Sequence, residues 1–67
     1  MSVGRVTEIT STSTKSFDDA VRIGIERANQ TLRGVSGAWI KEQNVDIKDG
    51  KIEHFRVNML VTFVLEN

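Results

Sequence analysis

The segment IEHFRVNMLVTFVL, residues 52–65, alternates between two kinds of side chain over its whole length. Successive residues of a β-strand point to opposite faces of a sheet, so this pattern predicts one long strand with a single apolar face. The apolar face, which should pack against a helix, consists of Phe55, Val57, Met59, Val61, Phe63 and Leu65. The opposite face is mixed and consists of Ile52, His54, Arg56, Asn58, Leu60, Thr62 and Val64.

A tight turn precedes this strand. Asp49-Gly50 stands between two runs rich in branched residues, which is a strong hairpin signal. In the strand before the turn, Ala38 and Ile40 fit the apolar face. The same alternation places Trp39, the only tryptophan, on the mixed face with its neighbours two positions away, Gly37 and Lys41.

Apolar residues then recur at helical spacing in the first half of the chain, which predicts a helix over residues 17–33. Ser16 is a suitable N-cap, Asp19 completes a capping-box-like pair, and Gly34 supplies a stop. Gly24 lies on the apolar stripe, where it costs about 1 kcal/mol relative to alanine, so a close approach of the helix to a sheet is expected there. The stripe consists of Phe17, Ala20, Val21, Gly24, Ala28, Leu32 and Val35.

The remaining N-terminal part is predicted to be a strand over residues 3–9, followed by a polar loop over residues 10–16. The element order is therefore β-α-β-β in a single domain, residues 1–67. A right-handed crossover makes the first two strands parallel, and the last strand can lie between them and run antiparallel to both. The predicted class is α+β, with a three-stranded antiparallel-type sheet packed on one helix.

The small size of the chain predicts self-association. Sixty-seven residues without cysteine and with one histidine leave neither disulfides nor a histidine-rich metal site to reinforce a small core. The second face of the sheet is too apolar to be fully hydrated. Ile23 points away from the helical stripe and is either an isolated exposed residue or a subunit contact.

Charge and hydropathy exclude several classes of protein. Nine basic and nine acidic residues are interspersed and cancel, which argues against a nucleic-acid-binding protein. No apolar run is long enough to cross a membrane, and the N-terminus lacks the apolar segment of a signal peptide. We therefore expect a cytoplasmic protein.

Four stretches in their joint order resemble the dodecins: TSTKSFDDAV at 12–21, ERANQTLRGV at 26–35, DGKIEHFRV at 49–57 and VTFVLE at 61–66. The resemblance covers nearly all residues from 3 to 66. It implies a hollow spherical homododecamer with helices outside and sheets inside. It also implies flavin binding, FMN or riboflavin, usually as stacked pairs, for storage or protection rather than catalysis.

The chain departs from the dodecin pattern at the flavin site. The resemblance places Gly37 where the family has its stacking tryptophan and Arg56 where it has a glutamine. Trp39 is then a candidate for a displaced stacking platform, and Arg56 for contact with a phosphate, carboxylate or carbonyl. The candidate flavin-binding residues are Trp39, Arg56, Gly37, Asn44 and Asn58. The competing interpretation is that Trp39 fills a subunit contact and Arg56 forms a salt bridge.

Two other classes of function remain for comparison. One is a dodecameric structural or ion-binding assembly that has lost flavin binding. Its possible carboxylate donors match no calcium-loop spacing; they are Glu8, Asp46, Asp49 and Glu53. An enzyme is not predicted, because the chain has no serine–histidine–aspartate or cysteine–histidine arrangement and no phosphate-binding glycine loop.

Overall fold

The computed structural model describes residues 3–65, which form one helix and three strands. In chain order these are β1 (Val3–Ser13), α1 (Phe17–Thr31), β2 (Val35–Lys48) and β3 (Lys51–Leu65). The sheet has the order β1-β3-β2, and β3 runs antiparallel to both neighbours. This arrangement confirms the predicted α+β class, the β-α-β-β order and the central place of the last strand.

The core lies between α1 and the apolar face of β3. Val57, Met59 and Val61 have no exposed surface, and Ala20 and Ala28 of α1 close over them. The prediction for this face is confirmed in its central part and wrong at one end. Leu65 remains 44% exposed because it pairs with Val3 at the far end of β1, whereas α1 packs against the middle of the sheet.

The predicted start of α1 is confirmed, and its predicted end is wrong. The Ser16 hydroxyl accepts a hydrogen bond from the backbone N–H of Asp19 at 3.0 Å, as an N-cap should. The helix ends at Thr31, two residues before the predicted end, with Leu32 as its C-cap. Gly34 has a φ of 71° and accepts a hydrogen bond from the backbone N–H of Val64 at 3.0 Å. That bond ties the turn after the helix to β3, so the chain leaves the helix early.

The predicted loop over residues 10–16 is wrong for its first four residues, which continue β1 to Ser13. Ser11 and Ser13 are buried beneath α1 and pair with Val57 and Phe55. The Ser13 hydroxyl donates to Asp19 Oδ2 at 2.6 Å and accepts from the backbone N–H of Lys15 at 2.9 Å. Tertiary contacts thus determine the conformation of residues 10–13, although their local sequence is typical of a polar loop.

Gly24 is the point of closest approach between α1 and the sheet, as its place on the apolar stripe predicted. A Cβ atom built at this position would lie 2.5 Å from Met59 Cε and 3.0 Å from Ser11 Cβ. Both distances are too short for undisturbed packing. The missing side chain therefore lets the helix sit directly on Met59, which fills the gap.

The helix does not cover β2. It packs mainly against β1 and β3, so Ala38 and Ile40 are exposed although they lie on the predicted face, opposite Val61 and Met59. Val35, expected on the helical stripe, instead begins β2. One helix is too narrow to cover three strands. The strand that it leaves uncovered is β2, which follows α1 after a short turn.

The hairpin between β2 and β3 has the predicted tight turn. Asp49 and Gly50 both have positive φ, 53° and 75°, which is the geometry of a type I′ turn. Pairing of β1 with β3 stops at Ser13 and Phe55, so the hairpin continues beyond the rest of the sheet. We call this projecting hairpin, residues 46–54, the arm.

Replacing Gly24 by valine tests the close approach. The added side chain would be forced against Met59 and Ser11, so Gly24→Val should lower the free energy of unfolding by about 1–3 kcal/mol. Asn29→Val introduces the same residue on the exposed side of the same helix and should change it by about 0.5 kcal/mol or less. Urea unfolding at fixed protein concentration measures both. Equal effects of the two substitutions would contradict the proposed contact.

The Ser13–Asp19 contact predicts a pH-dependent contribution to stability. The Ser13 hydrogen bond and the Arg22 guanidinium hold the pKa of Asp19 below its usual value. The stabilisation is therefore complete above the unfolded pKa of about 3.9, and it is lost as the pH falls through the lower folded pKa. We expect Ser13→Ala to destabilise the protein more at pH 7 than at pH 2.

Urea titrations of wild type and variant at a series of pH values measure this difference. Ser36→Ala is the matched control, because the Ser36 hydroxyl lies 3.5 Å from a backbone carbonyl, that of Thr62, rather than near a carboxylate. Its effect should not vary with pH. A Ser13→Ala penalty that is the same from pH 2 to pH 7 would show that the Asp19 charge is not involved.

Candidate ligand site on the helix-free sheet face

The candidate residues lie on the sheet face opposite α1, which we call the open face. Strand register assigns its members, because directly paired residues share a face. In the rows from β2 across β3 to β1, Gly37 is followed by Thr62 and Val6, and Trp39 by Leu60 and Glu8. The next two rows are Glu42, Asn58 and Thr10, and then Asn44, Arg56 and Thr12.

Trp39 dominates one end of this face. Its side chain is 71% exposed, the largest exposed fraction among the large apolar residues of the described chain. Leu60 lies directly opposite it on β3, and Val6, itself 54% exposed, is in the adjacent row on β1. An indole and two aliphatic side chains thus form an apolar surface that a flat molecule or another protein chain can cover.

Gly37 lies two residues from Trp39 on the same face, about 7 Å along the strand. Its carbonyl accepts a hydrogen bond from the Thr62 hydroxyl at 3.1 Å. A Cβ built at Gly37 would meet only that hydroxyl, at 3.4 Å. The glycine therefore leaves the sheet surface low beside the indole, and a side chain could be added there without backbone strain.

Arg56 lies in a charged group at the other end of the face. Its Nη2 donates to Asp46 Oδ2 at 2.6 Å. His54 Nδ1 lies 3.8 Å from the same oxygen and 3.6 Å from Glu53 Oε1. Asp46 orients the guanidinium through one N–H group, and a guanidinium has five, so Arg56 keeps donors for a phosphate or carbonyl.

The two asparagine candidates are associated with Arg56 rather than with Trp39. Asn44 pairs directly with Arg56 across the β2–β3 ladder. Asn58 is two residues from Arg56 on β3, and its Oδ1 accepts a hydrogen bond from the Thr10 hydroxyl at 2.7 Å. That bond fixes the side chain of Asn58 toward β1. The polar candidates therefore occupy one half of the open face.

The two halves do not meet in one subunit. Leu60, opposite Trp39, and Arg56 are four residues apart on β3, which corresponds to about 13 Å. An ion pair lies between the halves, because Lys41 Nζ reaches across β3 to Glu8 Oε2 at 3.4 Å. A single chain thus offers an apolar platform and a separate polar group, not one closed site.

Sequence reasoning missed the Lys41–Glu8 pair. The pair depends on the register between three strands. That register includes a β-bulge between Ile40 and Glu42, and no glycine or other turn residue in the sequence indicates the bulge. Glu8, considered as a metal donor, instead pairs with Lys41, and Asp46 pairs with Arg56. Within residues 3–65, no three histidine or acidic side chains lie close enough together to hold a metal ion. Over the same residues, no helix has the length and apolar character to cross a membrane.

The chain was compared with models of known protein families. The family model described as Dodecin matches residues 3–66. The chain belongs to the dodecin family. A comparison with curated proteins found no match to this chain.

Solved dodecin structures have the same fold. The dodecin from Streptomyces davaonensis is 39% identical, with a TM-score of 0.94 over 98% of this chain and 97% of that chain. The dodecin from Streptomyces coelicolor is 36% identical, with a TM-score of 0.94 over 98% and 94%. A calcium dodecin from Mycobacterium tuberculosis, described as calcium chelating with a novel calcium-binding site, is 28% identical, with a TM-score of 0.83 over 96% and 91%.

Proposed function

We propose that this dodecin assembles into a hollow homo-oligomeric shell, twelve copies by family resemblance, that binds and sequesters a flavin, FMN or riboflavin. The proposed role is binding in the cytoplasm rather than catalysis. The observation that carries the proposal is the exposed indole of Trp39 on the helix-free face of the sheet. The family arrangement, with sheets facing inward, would place this indole inside the shell.

An exposed tryptophan beside aliphatic residues suits a flat aromatic ligand. Stacking of a base-like ring on an aromatic side chain contributes about 1–3 kcal/mol. Leu60 and Val6 extend the apolar surface next to the indole. The low surface at Gly37 leaves room for a ring to lie against the sheet. These features support a stacking platform displaced by two residues from the usual family position.

Arg56 supports the choice of an anionic or carbonyl-bearing ligand. Because Trp39 and Arg56 are separated by about 13 Å along β3, one bound ring would receive them from two different subunits. Assembly and binding are then linked, since neither half of the open face is a complete site alone. The Asp46 partner reduces the positive charge of Arg56 but leaves guanidinium donors available.

Flavin titration tests the proposed platform. Riboflavin should quench Trp39 fluorescence in the wild type, and Trp39→Ala should weaken riboflavin binding about 5- to 150-fold, the factor that corresponds to 1–3 kcal/mol. The variant has no tryptophan, so its affinity is read from the flavin's own fluorescence. Trp39→Phe is the matched control and should retain part of the affinity. Wild-type affinity in Trp39→Ala would overturn the assignment of the platform.

The role of Arg56 is tested by comparing two flavins that differ by a phosphate. If the guanidinium meets the phosphate, Arg56→Ala should weaken FMN binding more than riboflavin binding, and added salt should reduce the difference. The Arg56–Asp46 pair is more than one-third exposed, so its loss should change stability by about 1 kcal/mol or less. Equal losses for both flavins would assign Arg56 to a ring carbonyl or to the Asp46 contact instead of the phosphate.

The alternative function is an assembly that holds ions instead of flavin. Similarity to the calcium dodecin motivates it, and Asp46 and Glu53 beside His54 are the carboxylates that several copies could bring together. A wild-type particle near twelve times the monomer mass that neither quenches with riboflavin nor binds FMN would contradict the flavin proposal. Calcium titration of that particle by calorimetry then tests the alternative.

A further inference from the structure

The Lys41–Glu8 ion pair borders the apolar half of the open face. Glu8 lies in the same row as Trp39 and Leu60, two strands away from the tryptophan, which corresponds to about 10 Å. Lys41 belongs to β2, and its Nζ reaches across β3 to the Glu8 carboxylate on β1. The row therefore begins with an indole, continues over a leucine and ends at a charged pair.

The contact between the two charged groups is long. Lys41 Nζ lies 3.5 Å from Glu8 Oε1 and 3.4 Å from Oε2, whereas a charge-assisted N–H···O bond usually measures about 2.7–2.9 Å. Both side chains are about half exposed. An ammonium carries three N–H donors, and a carboxylate offers about four acceptor sites. Most of the hydrogen-bonding capacity of the pair is therefore available to another molecule.

A donor and an acceptor that lie side by side complement a ring edge with the reverse arrangement. A ring N–H next to a ring carbonyl would donate to the Glu8 carboxylate, and the carbonyl would accept from the Lys41 ammonium. Cyclic imides, in which an N–H stands between two carbonyls, have this edge, and the pyrimidine-like ring of a flavin is one of them. Three fused rings are about as long as the distance from Trp39 to Glu8, about 10 Å, so one flat ligand can contact the indole, Leu60 and the pair.

We propose that the Lys41–Glu8 pair binds the imide edge of a flat ring that stacks on Trp39. Glu8 accepts a hydrogen bond from the ring N–H, and Lys41 donates one to the neighbouring ring carbonyl. This inference rests on the proposed flavin binding and assigns two further properties of the same site. One is the orientation of the ring, with its imide edge toward β1. The other is selection for rings that carry an N–H at this edge.

Desolvation provides the selectivity. A ring that lies over Leu60 removes water from the Glu8 carboxylate. A ring without an N–H would leave that charge without a donor on the ligand side, and an unpaired, desolvated charge is costly. A site that is built to hydrogen-bond one group rejects analogues that lack it for this reason.

The negative charge of Glu8 also separates the two ends of an FMN molecule. The carboxylate disfavours a phosphate at its end of the row, while the guanidinium donors of Arg56 lie in the polar half of the face. The imide edge and the phosphate are therefore expected at different places. The pair recognises the ring, which riboflavin and FMN share, and Arg56 recognises what distinguishes them.

A methyl group on the imide nitrogen tests the contact. Lumiflavin has the imide edge and no ribityl chain, and 3-methyllumiflavin carries N–CH₃ in place of the N–H. Titration of Trp39 fluorescence measures the affinity for both rings. Glu8→Leu should weaken lumiflavin binding about 10- to 150-fold, the factor that corresponds to a hydrogen bond to a charged group. It should leave 3-methyllumiflavin binding unchanged. Equal weakening of both rings, or of neither, would overturn the inference.

Three further variants isolate the hydrogen bonds. Glu42→Leu removes a carboxylate from the next row of the same face and should keep the wild-type preference for lumiflavin. Glu8→Gln retains an oxygen acceptor of the same reach and should lose less of that preference than Glu8→Leu, and an equal loss would contradict the assigned hydrogen bond. Lys41→Met should weaken lumiflavin binding by about the same factor as Glu8→Leu, because the carbonyl loses its donor. Wild-type affinity in Lys41→Met would remove Lys41 from the site.

Sedimentation velocity on each variant checks that the wild-type mass is retained. If Glu8→Leu changes the mass, Glu8→Gln carries the comparison of the two rings, because its side chain has the same size as that of the glutamate. A wild type that binds both rings with equal affinity would overturn the role of the pair and leave the Trp39 platform in place. A wild type that binds neither ring would overturn both this inference and the flavin proposal.

Discussion

One short helix has to cover a long sheet, and the rest of the structure depends on that mismatch. Both α1 and β3 contain fifteen residues, but a helix rises 1.5 Å per residue and a strand about 3.3 Å. The helix is therefore about 22 Å long and the strand about 50 Å, close to the 51 Å length of the molecule. Less than half of the central strand can be buried beneath α1. The arm follows from this difference in rise. The same single helix is also too narrow to cover β2 and packs on one face of the sheet only, which leaves the open face.

The consequence for energetics is that a single chain leaves much of its apolar surface in water. The buried residues gather beneath Ala20, Gly24 and Ala28, and large apolar side chains outside that region remain exposed. At about 25 cal/mol per Å² of apolar surface removed from water, the exposed tryptophan and isoleucines are a substantial driving force for contacts with other molecules. The proposed self-association and the proposed ligand binding would both remove exposed apolar surface from water, at different places on the molecule.

Much of the fold could be predicted from three local signals. Alternation in residues 52–65 identified the central strand, Asp49-Gly50 identified the hairpin, and Gly24 identified the close approach of helix and sheet. Ser11 and Ser13 could not be placed in β1, because their strand conformation depends on burial under α1 rather than on their own preference. The lateral position of the helix, over β1 and β3 and not β2, is likewise set by packing between distant segments.

The sequence predicted which candidate residues share a face of the sheet, but not how they are arranged on that face. Alternation placed Trp39, Gly37, Arg56 and Asn58 on one face, and the register confirms that they share it. Their division into an apolar half and a polar half depends on the bulge at Lys41 and on the ion pair between Lys41 and Glu8. Bulges of this kind arise from pairing between strands, so a single sequence carries no sign of them.

The contact between Gly24 and Met59 has a consequence for how this fold can vary. The space that a side chain at position 24 would occupy is already filled by the end of the methionine. The two positions therefore share one volume, and interiors packed to crystal density tolerate a change in size only when it is compensated. A larger residue in the helix requires a smaller one in the strand. Residues 35 positions apart in the sequence thus behave as one unit, and neither can be exchanged freely while the other is kept.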